Sequence, residues 1–119
     1  MKVQKTSLWL ALSVAAALAG CSTAAPPREN VAAADLAVKR ALDSRASESA
    51  PLDLRLAVDK LDRAKVAMSQ KDYIRARRLA EEALVDAQVA EAKSGSDQAR
   101  RAAVEAQQTL DNLRSAPRG

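Results

Sequence analysis

The sequence predicts an all-α protein: an antiparallel helical hairpin extended to a small bundle of three or four helices, or drawn out as an elongated coiled coil. Three observations predict it. Beyond residue 30, apolar side chains, most of them alanine, recur at steps of three and four, the spacing that lines one face of a helix. Helix breakers are sparse in that region, with proline only at Pro51 and Pro117 and one internal glycine, Gly95. We read no strand pattern beyond the first twenty residues. Aromatics make up only 2% of the chain, and Tyr73 is the one aromatic after the first twenty residues, so the core is aliphatic and mostly small.

The first helix is predicted over residues 31–44. Val31, Ala34, Val38 and Ala41 fall on one face, and Asn30 is placed to cap the start. Ser44 to Ala50 is rich in serine and precedes Pro51, which pushes its predecessor out of helical geometry, so a loop belongs there. The second helix, 51–69, accepts Pro51 in its first turn and sets Asp53 near the positive end of its dipole. Its stripe is Leu54, Ala57, Leu61, Ala64 and Met68.

A polar break from Ser69 to Asp72 is short enough to make the next helix an antiparallel neighbour, with Asp72 as its cap. That helix, 72–94, repeats Tyr73, Ala76, Ala80, Ala83, Ala87 and Ala90. Leu79 and Leu84 widen this seam, while Leu56 and Val66 point toward some other surface. At Ser94-Gly95-Ser96 the phase slips: Ala99, Ala103, Ala106, Leu110 and Leu113 form a stripe that does not continue the one ending at Ala90. A final helix is therefore predicted over 97–114, with Gly95 ending or kinking the one before. Residues 115–119 contain Pro117 and are predicted to fray into a disordered tail.

The first thirty residues read differently. Two lysines in Met1 to Lys5, an apolar run from Leu8 to Ala19 and small residues at Ala19 and Gly20 have the layout of an export signal over residues 1–20. The run is too short to span a bilayer, which takes about 20 apolar residues. Leu18-Ala19-Gly20-Cys21 resembles the bacterial lipobox, which implies cleavage between Gly20 and Cys21, a diacylglyceryl group on the Cys21 sulfur, and often a further acyl chain such as palmitate on its amino group. Two or three chains, at roughly 0.8 kcal/mol per buried CH₂, hold a protein to a membrane in effect permanently. Ser22, where an aspartate would signal inner-membrane retention, resembles the outer-membrane default. Residues 21–30, with Pro26 and Pro27, read as a tether.

The chain has 119 residues, so fewer than a hundred remain past the signal for one small domain. It carries 19 basic and 15 acidic residues, but Lys2 and Lys5 lie in the signal, which leaves a surplus of two. That balance argues against a nucleic-acid surface. Basic and acidic residues alternate, as in Asp59, Lys60, Asp62 and Arg63, the pattern of a solvated helical face.

Lipobox, tether, the stretch Leu52-Asp53-Leu54-Arg55-Leu56-Ala57-Val58-Asp59-Lys60-Leu61 and the stretch from Lys71-Asp72-Tyr73-Ile74-Arg75-Ala76 to Ala83 together resemble domain-of-unknown-function family 4398, over Ala32 to Gln98. The resemblance implies a short lipoprotein of the Gram-negative envelope with a periplasm-facing helical domain, and an association with OmpA-like peptidoglycan-binding proteins. It implies no catalytic or ligand-binding residues.

The residues point away from catalysis. The chain has no histidine, and its single cysteine is assigned to the anchor, so the usual general base, metal ligands and nucleophile are missing. Asp59 with Asp62, and Glu81 with Glu82, sit among lysines and arginines as surface carboxylates do, and Ser69 with Lys71 lacks any oxyanion-hole motif. No enzyme activity, cofactor, metal or small-molecule substrate is expected. The candidate interaction patch is Lys71, Arg75, Arg77 and Arg78, suited to anionic headgroups, a glycan carboxylate or an acidic partner. The expected role is a non-catalytic structural or adaptor module at the outer membrane, facing the periplasm and meeting an envelope protein. The alternative is a self-associating coiled-coil spacer between outer membrane and peptidoglycan.

Overall fold

A computed structural model describes residues 24–117. The export signal, the cleavage position at Gly20 and Cys21 lie outside the described residues. Among those described there is no strand, and four helices follow one another: α1 (Arg28–Asp43), α2 (Ala46–Ser49), α3 (Pro51–Ser69) and α4 (Tyr73–Ser115). The fold is all-α and elongated, because α4 alone, at 43 residues, is about 65 Å long.

Helix α1 begins three residues earlier than the stripe from Val31 predicts. Pro27, with φ of −81°, presents its carbonyl to the Val31 amide at 3.1 Å, so the tether ends at Pro27 and Arg28 to Asn30 are helical. Asn30 therefore caps nothing; its side-chain amide donates to Glu81 Oε1 at 3.2 Å. At the other end Arg45 adopts φ of 64° and its amide bonds the Leu42 carbonyl at 3.1 Å. The predicted loop from Ser44 to Ala50 is instead mostly the single helical turn α2, because Ala46 and Ala50 find buried places against the bundle.

Helix α3 opens with Pro51 in its first turn after a non-helical Ala50 (φ −142°), the proline ring disfavouring helical geometry in its predecessor. It ends in a Schellman turn. The Asp72 amide bonds the Ala67 carbonyl at 2.9 Å and the Lys71 amide bonds the Met68 carbonyl at 3.1 Å, with Lys71 left-handed at φ 60°. Asp72 then starts α4, accepting the Arg75 amide at 3.2 Å.

The two helices predicted over 72–94 and 97–114 are one. Ser94, Gly95 and Ser96 lie inside α4, and the phase slip marks a change of face. The five steps from Ser94 to Ala99 turn the helix by about 140°.

The chain runs up, down and up. Asn30 meets Glu81 and Arg40 meets Glu91 (3.7 Å), so α1 is parallel to α4. Asp53 meets Lys93 (2.7 Å) and Lys60 meets Asp86 (2.7 Å), so α3 is antiparallel to α4. Helix α4 is the spine against which α1, α2 and α3 all pack. Its inner seam, Ala76, Ala80, Ala83, Ala87, Ala90 and Ser94, faces Ala34, Ala37, Val38 and Ala41 of α1 and Leu54, Ala57, Leu61 and Ala64 of α3. Ten of these fourteen are alanines without exposed surface. Small side chains let the helix axes approach closely but bury little area each, at about 25 cal/mol per Å².

Candidate functional site

The direction of the helices gives the molecule two unlike ends. Ala24 to Pro27 enter at the end formed by the α3–α4 turn, since α1 begins within about two turns of the start of α4. At the opposite end α1 and α3 stop near Ser44 and Pro51, while α4 runs on past Gln98 for about 25 Å. From Gln98 to Pro117 every residue is exposed.

The junction is polar. The buried Ser94 hydroxyl donates to the Ser44 carbonyl, and Gln98 Nε2 donates to the same carbonyl at 2.9 Å and to Ser94 Oγ at 3.2 Å. Beside it lies a cleft of about 60 Å³ bordered by Arg45, Glu48, Asp97 and Arg101. Its walls belong to the contacts that hold α2 against α4.

The predicted patch sits at the entry end but not on one face. Lys71 occupies the turn, Arg75 and Arg78 lie one turn apart on α4, and Arg77 projects on the other side of the helix. All are exposed, and Arg78 reaches Glu82 only at 3.9 Å. The first turn of α4 contains no acidic residue, so three arginines crowd the positive end of its dipole with Asp72 alone opposing them.

The carboxylates are engaged as surface groups. Asp59 pairs with Arg63 at 3.4 Å, Glu81 accepts from Asn30, and Glu82 lies 3.5 Å from Lys60. Ser69 donates to the Val66 carbonyl at 2.7 Å as part of the helix end. The Asp86 carboxylate, 2.7 Å from the Lys60 ammonium and accepting from it, holds that ammonium above its ordinary pKa. Hydrogen bonds from Lys39 (2.6 Å) and Lys65 (2.8 Å) hold the Asp35 carboxyl below its own. These pairs clamp α3 to α4 and to α1. Among the described residues no three His, Cys, Asp or Glu side chains gather as metal ligands. No described helix is long and apolar enough to cross a membrane.

The feature that sequence reasoning half missed is a second seam on α4. Counting back from Leu113 in steps of three and four gives Leu110, Ala106, Ala103, Ala99, Ser96, Ala92, Val89 and Val85, a heptad register about 42 Å long interrupted by one serine. Every one of these residues is exposed, Val85 at 56% and Leu113 at 69%. The predicted helix break at Gly95 hid the upstream half. Extending the register through the break was the signal that would have found it.

Fold and surface together define a class: a small helical module with an Ala-packed three-helix body and a projecting helix. Residues 29–106 match the model of a domain of unknown function, DUF4398, and the chain belongs to that family. The match takes in the whole body and the first part of the projection, beyond Ala32 to Gln98 at both ends. No curated protein and no solved structure matches the chain.

Proposed function

We propose that this protein is a lipid-anchored envelope module without catalytic activity, attached through Cys21 to the outer membrane, facing the periplasm and presenting α4 to another envelope component such as an OmpA-like protein. The observation that carries this reading is the lone Cys21, placed after small residues at the end of a short apolar signal. The two-ended body supports it. Six links from Cys21 to Pro27 reach at most about 20 Å, so an anchor on Cys21 keeps the entry end near the bilayer while α4 points away. Lys71, Arg75, Arg77 and Arg78 then lie on the membrane side, where anionic headgroups answer the positive charge that the α4 dipole disfavours.

Mass spectrometry of the mature N-terminus tests the anchor. The expected species begins at Cys21 with diacylglyceryl on sulfur, and a free thiol there overturns the reading. Fractionation is expected to recover the protein with outer-membrane markers, and recovery with the inner membrane overturns the assigned side. Crosslinking in cells is expected to capture an envelope protein or a second copy.

A further inference from the structure

We propose that the outer seam of α4 binds a second copy of this chain in parallel, forming a two-stranded coiled coil from Val85 to Leu113. The positions alternate as Val85, Ala92, Ala99, Ala106 and Leu113 in one set and Val89, Ser96, Ala103 and Leu110 in the other. They lie on the side of α4 away from α1 and α3, which bury the inner seam. No part of the described chain covers them.

The edges of the seam select the occupant. One edge bears Asp86, Lys93, Arg100, Gln107 and Arg114; the other bears Gln88, Gly95, Ala102 and Thr109. In a parallel pair each residue of the second edge meets a residue of the first edge five positions on in the partner. This sets Gln88 beside Lys93, Gly95 beside Arg100, Ala102 beside Gln107 and Thr109 beside Arg114. Long side chains fall across neutral ones, small at Gly95, Ala102 and Thr109, and no like charges meet. Gly95 leaves open space where a Cβ would stand, so the Arg100 stem of the second copy has room to lie there. Asp86 is already neutralised by Lys60. An antiparallel pair in full overlap sets Arg100 against Arg100 at its centre, which the parallel pair avoids.

Area sets the strength. A stripe about 42 Å long and one helix diameter, about 10 Å, wide covers roughly 400 Å², half of the roughly 800 Å² per partner of a standard interface. Such a seam is weak between freely diffusing chains and gains from confinement on a common surface. That gain rests on the anchoring proposed above, whereas the register and direction rest on α4 alone. Anchored copies also share an orientation, which only the parallel pair satisfies.

The test is oxidative crosslinking of the full-length chain in its own membranes, with single cysteines introduced by Val85→Cys, Ala99→Cys or Leu113→Cys, all at exposed positions that leave the body intact. Each is expected to give a disulfide-linked dimer, while Glu105→Cys, on the reverse face, gives none. Adding Ala103→Glu to Leu113→Cys is expected to lower the dimer band at least about tenfold, because a charge is driven into the apolar seam. No band from the three seam variants, a band of equal strength from Glu105→Cys, or linkage only between Val89→Cys and Leu113→Cys chains would overturn the proposal, the last by indicating an antiparallel pair. Linkage solely to a different protein would overturn it too. A band from the unsubstituted chain means that Cys21 holds a free thiol. The anchor then fails, and the seam is judged from the same variants in a Cys21→Ser background.

Discussion

The side chain of Ser94 in the middle of α4 donates to the main-chain carbonyl of Ser44 at the end of α1, fifty residues earlier in the chain. Ser94 continues the inner Ala seam by one more heptad step, and it is polar where α1 ends and a carbonyl needs a donor. Ser94→Ala is expected to lower stability by about 1 kcal/mol, because Gln98 still donates to the same carbonyl. Ser94→Ala with Gln98→Ala leaves that carbonyl without either donor. The double variant is expected to lose more than the two single losses together, which urea melts of all three variants would measure.

Ala83 is fully buried where α4 packs into the core. Ala83→Leu is expected to destabilise the fold by about 1–3 kcal/mol through overpacking, although it adds apolar surface. Val85→Leu, two residues on but exposed, is expected to stay within about 0.5 kcal/mol of the parent. Thermal unfolding of the two variants separates close packing from simple hydrophobicity.

Glycine is expected to act in opposite senses at two sites. Lys71 sits left-handed at the position where a Schellman turn favours glycine, so Lys71→Gly is expected to stabilise by about 0.5–1 kcal/mol. Gly95 is helical and its added Cβ meets nothing within 4 Å, so Gly95→Ala is also expected to stabilise, by up to about 1 kcal/mol. A loss of stability at Gly95→Ala would mean that the helix is broken there after all. Denaturant midpoints at equal slope decide both.

Two groups of ion pairs, around Asp35 and around Lys60, set the pH response. The Asp35 carboxyl, held below its ordinary range by Lys39 and Lys65, adds stability that is present above the unfolded carboxyl pKa of about 3.9 and lost as pH falls through the lower folded value. The Lys60 ammonium, held above its ordinary range by Asp86, adds stability that is present below the unfolded value of about 10.4 and lost as pH rises through the higher folded one. Stability is therefore expected to be level from about pH 5 to 9 and to fall on both sides. Asp35→Asn is expected to remove part of the acid limb alone, less than about 1 kcal/mol because the pair is solvent-screened. Urea melts across pH check both limbs.

Much of the body was legible in the residues. Pro51 marks a first turn, Asp72 caps α4, and the stripes Leu54 to Ala64 and Ala76 to Ala90 lie in the core, because each of these signals is local to one helix; at the end of α3, Ala67 is buried where the stripe predicts Met68. Arg75 and Arg77, two positions apart in the sequence, fall on different sides of α4, so the patch named from sequence is a ring around one end. Asn30 reads as a cap until Pro27 takes over the start of α1 and frees its side chain for Glu81.

By itself the sequence determined that the described chain is helical, that its seams are lined by small residues, and where Cys21 stands after its apolar run, since periodicity, breakers and composition act within a few residues. Only the tertiary structure decided that α4 runs unbroken through Gly95 and that α1 lies parallel to it. It also decided that the stripe ending at Leu113 belongs to a second, uncovered face reaching back to Val85. The physical reason is that a heptad pattern specifies a face that suits burial but not what buries it. Helices α1 and α3 end before α4 does, and they can cover only one of its sides.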